Sequence, residues 1–228
     1  MDYVFQWDVI WQNAPELARG LWLTLRLSAA TMLFGLVLGV LGAWAKTSGG
    51  RMVRGSVQAY VEVIRNTPFL VQLLLVYLGL PRLGVRLSPE VAALAAMTLN
   101  LGAYATEIVR AGIEAVPRGQ IEAGRALGLR SAQVFRLVVL KPALLTVFTA
   151  LSGQFILVVL GSSIVSTISA EELTAVANNI QAQSFRPFEI YLAVGAIYVA
   201  MALGFEGVFM LIRRRWLAGG WVPGNRSA

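Results

Sequence analysis

Apolar residues gather into five long runs along the chain, separated by short polar stretches. A helix that crosses a bilayer needs about 20 mostly apolar residues. The runs 21–45, 57–80, 91–113, 143–165 and 188–212 all reach that length. The pattern predicts an all-α integral membrane protein of five transmembrane helices, forming a single domain over residues 1–228. The first run carries Gly35 and Gly39, with Gly42 beyond. That small-xxx-small spacing lets helices approach closely in lipid. The second run is interrupted by Glu62, Arg65, Asn66, Thr67 and Pro68. Proline removes a backbone donor and turns the residue before it away from helix. A kink or break is expected near Thr67, inside the bilayer or at its edge.

The intervening stretches have patterns of their own. Residues 46–54 read as a loop, as do residues 81–89. The longest charged stretch, residues 114–141, holds Ile121, Ala123, Ala126 and Leu127 near helical spacing. Pro117 suits the start of a short helix there and Gly128 its end. A second short helix is expected from Ser131. Residues 166–187 are mixed, with a short helix predicted around residues 171–182. Arg213, Arg214 and Arg215 stop the last run, and the glycine-rich tail to Ala228 reads as irregular.

Composition supports the membrane assignment: 57% of residues are hydrophobic and 14% charged, against about a quarter charged in soluble domains. The chain has no cysteine and no histidine. That removes disulfides, thiolate or imidazole metal sites, and Cys/His catalysis. The net charge of +7 flanks apolar spans, so it does not point to nucleic acid. Thirteen basic residues lie in 46–54, 110–141 and 213–226; Arg19, Arg82, Arg86 and Arg186 fall on the other side. By the positive-inside rule the C-terminus is expected in the cytoplasm and the N-terminus outside. Asp2, Asp8 and Glu16, with no basic region before the first apolar run, argue that this run stays as an anchor.

The loop between spans three and four reads Glu122-Ala123-Gly124-Arg125-Ala126-Leu127-Gly128 and later Val139-Leu140-Lys141-Pro142. It resembles the loop shared by permease subunits of ATP-binding-cassette importers, in which Glu-Ala-Ala is followed by Gly and, further on, Ile-x-Leu-Pro. The runs Gly102–Ile113 and Val116–Gln120 look like the branch that imports polar amino acids. Glu62–Pro68, Ser163–Ser166 and Glu171–Thr174 are similar to the same branch. The similarity covers roughly residues 21–215. It departs from the pattern at Gly124 (usually alanine), Asn66 (usually glycine) and Lys141 (usually proline). Leu160 and Gly161 stand where lysine and aspartate are frequent.

The resemblance implies a coupling helix in the cytoplasmic loop 114–141, with Glu122, Ala123, Gly124, Arg125 and Gly128 meeting an ATPase subunit. It implies a second permease subunit (the same chain or a relative), an ATPase dimer and an extracytoplasmic solute-binding protein. The implied setting is the bacterial cytoplasmic (inner) membrane, and the implied solute a polar amino acid or an opine-like relative. The chain has two lysines, and neither Lys46 nor Lys141 follows the glycine that a phosphate-binding loop requires. No cofactor is expected in this chain; ATP and Mg are expected on the partner ATPase, and the chain is not expected to be an enzyme.

Polar groups within spans are costly and become candidates for function. Arg65, Asn66 and Thr67 could line a translocation path at the break, or mark a helix end where Arg65 pairs with Glu62. Asn100, Gln154, Ser162 and Ser163 could line the path or bond between helices. Glu107 and Arg110, three apart, are expected to pair on one helix face. Glu206 could face the bundle or a partner. The main rival function is an ion-driven secondary transporter, which would show internal repeats and buried charged relays. A membrane enzyme lacks a motif here, and a simple anchor would need neither a coupling helix nor a polar proline break.

Overall fold

The computed structural model describes residues 4–217, apart from the side chains of residues 131, 132, 216 and 217. The tail from residue 218 on, with Arg226, lies outside the described residues. In chain order the helices are α1 (Asp8–Gln12), α2 (Ala14–Ser48), α3 (Arg51–Arg65), α4 (Phe69–Leu74), α5 (Pro89–Glu114), α6 (Arg118–Ala126), α7 (Ser131–Val134), α8 (Leu140–Gly161), α9 (Leu173–Ser184) and α10 (Pro187–Ile212). Among the described residues, four helical stretches are long and apolar enough to cross a membrane: Ala14–Ser48, Pro89–Glu114, Phe135–Ile168 and Pro187–Arg215. The count reaches five when Arg51–Arg65 and Phe69–Leu83, bent by 110°, are taken as one span.

Three boundaries differ from those expected, the second segment starting at Arg51 rather than Val57, so that only residues 49 and 50 separate α2 from α3 where 46–54 read as a loop. The first span starts at Ala14 rather than Leu21, because the polar first turn with Glu16 continues the same helix. The fourth starts near Phe135 rather than Ala143, so Arg136 and Lys141 ride on a helix and not in the loop. Pro142 is accommodated by a π-helical turn, Phe135–Val139, just before it. Such a widened turn makes room for the ring that would otherwise strike the preceding turn. A second π turn, Leu75–Gly79, precedes Pro81 in the same way.

The bundle is built around the contact of α2 with α5. The two run parallel: Gly35 abuts Leu101, Gly39 abuts Ala105, and Gly42 abuts Thr106. From the other side Gly102 meets Leu38 and the Tyr60 hydroxyl. In lipid the helices gain nothing from leaving water, so this close van der Waals approach holds them together. The glycines of the first run thus serve helix packing. α8 runs antiparallel along α5, with Gly112 against Val147 and Ala105 clustered with Leu151. The ends of α2 and α5 and the start of α8 therefore share one end of the bundle with α6.

At the opposite end α9 seals the bundle. Leu173, Ala177 and Ile180 pack on Leu17 and on Ile190 and Val194 of α10. Its N-cap is Glu172, whose side chain accepts from the Ala175 N–H at 2.9 Å. The carboxylate also accepts from the Tyr198 hydroxyl at 2.7 Å and lies 3.4 Å from Thr24 Oγ1, which itself accepts from the Leu173 N–H at 3.1 Å. Burial pushes the Glu172 carboxyl above the ordinary carboxylate range; hydrogen bonds from Thr174, Tyr198, Ala175 and Thr24 pull the other way. A raised acid holds its proton more tightly folded than unfolded. Its contribution to stability is full at low pH and is lost as pH rises from its unfolded pKa of about 4.3 through its folded one. Glu172→Gln is expected to flatten that decline. Melting temperatures of the purified chain from about pH 5 to about pH 8 test this; equal slopes for both proteins would remove Glu172 as the source.

Candidate functional site

α3 stops at Arg65, and Pro68, with φ of −58°, starts α4. The break frees the last carbonyls of α3, and irregular backbone at membrane depth is tolerated only where those groups are met by protein or a cavity. Three side chains meet them. Asn66 Nδ2 donates to the Glu62 carbonyl at 2.8 Å, and Thr67 Oγ1 to the Val63 carbonyl at 2.6 Å. Gln72, buried on α4, donates to the Ile64 and Thr67 carbonyls, both at 2.8 Å. Its own Oε1 accepts from Asn100 Nδ2 of α5 at 3.0 Å, tying the break to the central helix.

This arrangement opens onto a cavity of about 480 Å³. Arg65, Asn66 and Thr67 line it from the break, Asn100 and Tyr104 from α5, and Gln154 from α8. The cavity lies between the broken second segment and the third and fourth spans. Five of the seven residues expected to line a path thus come together. Ser162 and Ser163 do not. The end of α8 tightens into a 3-10 turn, Ser162–Ile168, and the two hydroxyls donate back to the Val159 and Leu160 carbonyls at 2.7 and 2.8 Å. Ser162 is fully buried.

Arg65 does not pair with Glu62. Its guanidinium lies over the Tyr104 ring, 5.3 Å from the centroid, a cation–π contact that leaves the remaining N–H donors available. Glu62 lines an adjoining cavity of about 310 Å³, shared with Arg65, Asn66 and Tyr104. Glu107 lines it too and is held by Arg110 at 2.7 Å, as its spacing implied, and by Lys46 of α2. Arg110 also reaches Glu114 at 2.5 Å. Sequence inspection missed Gln72, Tyr104 and Lys46. Gln72 was detectable as a lone amide in the apolar run Phe69–Leu80; the Lys46 partnership spans 61 residues and left no local mark. Glu206 is exposed on α10 and lines a smaller cavity of about 150 Å³ with Arg213.

The loop end holds α6, for which Pro117 is the N-cap. Gly128 closes it with φ of +76°: its N–H donates to the Arg125 carbonyl at 2.9 Å, and the Leu129 N–H to the Gly124 carbonyl at 3.2 Å. That pair of bonds, with a left-handed residue between, is the usual glycine stop of a helix. Ile121 packs with Val116, Val139 and Ala143. Gly124 is buried toward Val134 and Val138, while Glu122, Ala123 and Arg125 are exposed, and Leu127 is 81% exposed. A Cβ at Gly124 would meet the two valines at 3.4 Å, ordinary contact. Gly124→Ala is therefore expected to stabilise the chain by about 0.5–1 kcal/mol, since glycine weakens a helix interior. A lower melting temperature for this variant would show that the contact is too tight.

The chain matches the model of the family described as binding-protein-dependent transport system inner membrane component over residues 32–217. The glutamine transport system permease protein of Escherichia coli is 35% identical over 92% of this chain and 97% of its own length. The nopaline transport system permease protein of Agrobacterium fabrum is 34% identical over 97% of this chain and 93% of its own. Among solved structures, an amino acid ABC transporter crystallised with histidines superposes with a TM-score of 0.88 at 37% identity, covering 93% of this chain and all of that one. By its sequence along most of its length and by its fold, the chain belongs to the family of inner membrane components of binding-protein-dependent transport systems.

Proposed function

We propose that this chain is the permease subunit of an ATP-driven importer, carrying a polar amino acid or an opine-like solute across the bacterial inner membrane by alternating access. The observation that carries this reading is the polar cavity at the broken second span, set inside an otherwise apolar bundle. Arg65 brings charge, and Asn66, Asn100 and Gln154 bring amide groups suited to a zwitterionic solute. A single bundle of this size encloses only part of a path, so a second permease subunit, the same or a related chain, stands beside it. ATP and Mg belong to a separate ATPase dimer that engages α6 through Glu122, Ala123, Arg125 and Leu127. A solute-binding protein delivers the solute from outside. The bias of basic residues supports an orientation with the N-terminus outside and the C-terminus, with the α6 end, in the cytoplasm.

Capture of the tagged chain in mild detergent is expected to bring a cassette ATPase with it. Arg65→Ala is expected to retain that ATPase while lowering solute uptake about tenfold or more, since a hydrogen bond between charged groups, once the bound solute covers it, is worth about 1.5–3 kcal/mol. Solute flux in liposomes holding this chain alone, with no ATPase captured, would replace this reading by an ion-driven secondary transporter. Unchanged uptake in Arg65→Ala would remove the cavity from the path.

A further inference from the structure

We propose that the cavity at the helix break sorts solutes by charge, admitting neutral and acidic amino acids and rejecting cationic ones; this rests on the cavity being part of the path. Among the described residues its lining contains one charged side chain, Arg65, and no carboxylate. Arg65 lies over the Tyr104 ring, and this cation–π contact favours keeping its positive charge at the cavity wall. The rest of the polar lining is neutral. Asn66 and Asn100 each give one amide N–H, to the Glu62 carbonyl and to Gln72 respectively, which leaves the second N–H and the carbonyl oxygen of each for a solute. Gln154 contributes a further amide from α8.

A zwitterionic amino acid fits this set. Its carboxylate takes Arg65, and its ammonium takes neutral amide oxygens. A side-chain carboxylate or amide adds no repulsion. A side-chain ammonium or guanidinium brings a second cation into a cavity that already holds one and offers no anion, and like charges at short range disfavour binding. The carboxylates nearby do not correct this. Glu62 and Glu107 line the adjoining cavity and not this one; Glu107 is matched by Lys46 and Arg110, and Glu62 accepts from the Gln58 amide. Gly161 also lines the main cavity, and a Cβ built there meets nothing within 4 Å. A carboxylate can therefore be introduced at that position without displacing packing.

The test measures binding of radiolabelled L-glutamine, L-glutamate and L-arginine to the full-length chain with its co-purifying subunits in nanodiscs, without soluble receptor. Wild type is expected to bind arginine about tenfold or more weakly than glutamine. Gly161→Asp is expected to reverse that order, and Arg65→Gln to narrow it. Arginine bound by wild type as tightly as glutamine would overturn the charge rule while leaving the cavity in the path, provided that Gly161→Asp or Arg65→Gln still alters binding. Binding of all three solutes that neither variant alters, or no binding of any, would overturn both the rule and the cavity reading beneath it.

Discussion

Gly39→Leu is expected to leave no folded chain. A Cβ at position 39 would sit 2.3 Å from the Ala105 Cβ, 3.0 Å from the Ala105 carbonyl carbon and 3.1 Å from the Thr106 nitrogen. Two of those three atoms are backbone, so no rotamer change relieves the clash. α2 and α5 would have to separate, and Gly35 and Gly42 lose their contacts with Leu101 and Thr106 as they do. Overpacking of a core commonly costs about 1–3 kcal/mol where side chains can give way; where two backbones abut, the cost lies at or above the top of that range, a large part of a typical total stability of about 5–15 kcal/mol. Size-exclusion chromatography of the detergent-solubilised chain reads the outcome. Gly204→Leu, on an exposed stretch of α10 with nothing near its Cβ, is the matched control and is expected to elute as wild type. The pair Gly39→Ala and Ala105→Gly tests the geometry directly. Either Gly39→Ala alone or the pair places a methyl group in the gap, but the pair removes the 2.3 Å contact. A pair no more stable than Gly39→Ala alone would show that this contact is not what fails.

The same helix pair shows what the linear chain discloses. The glycine spacing in residues 35–42 marks a face of close approach, but names no partner; the partner face, Leu101, Ala105 and Thr106, follows from the parallel passage of α2 and α5. The break near Thr67 was legible because proline acts locally. The 110° bend was not, because its angle is set by how Gln72 and Asn100 fasten α4 to α5. Polar residues inside apolar runs were visible as exceptions, yet their direction was not. Arg65, Asn100 and Gln154 converge on one cavity, while Ser162 and Ser163 bond back to their own helix, as Thr146, Thr149 and Ser152 do earlier on α8. Short hydroxyl side chains can satisfy themselves on a nearby carbonyl; a glutamine on a regular helix cannot, so it reaches outward. The start of the fourth span was hidden by Arg136 and Lys141, whose charges read as loop although the apolar neighbours continue the helix to Ile168.

Leu127→Asp is expected to detach the ATPase and abolish uptake while the chain itself still folds. α6 is held to the bundle by one side only. Ile121 and Gly124 face Val116, Val134, Val138 and Val139, and the opposite side presents Glu122, Ala123, Arg125 and Leu127 with no neighbour from this chain covering Leu127. At 81% exposure Leu127 contributes almost nothing to the fold of this chain. Covered by a partner, it would contribute about 1.5–3 kcal/mol, and an aspartate in the same place would bury an unpaired carboxylate. A loss of about 3 kcal/mol corresponds to about 100-fold in affinity. The ATPase is therefore expected to vanish from the captured complex, with the elution profile and melting temperature of the chain unchanged. Arg65→Ala gives the converse result, with the ATPase retained and uptake impaired. Together the two variants separate transmission at α6 from passage at the cavity. If Leu127→Asp retained the ATPase and full uptake, the exposed face of α6 would not be the docking surface, and Glu206 with Arg213 on α10 would become the next place to look.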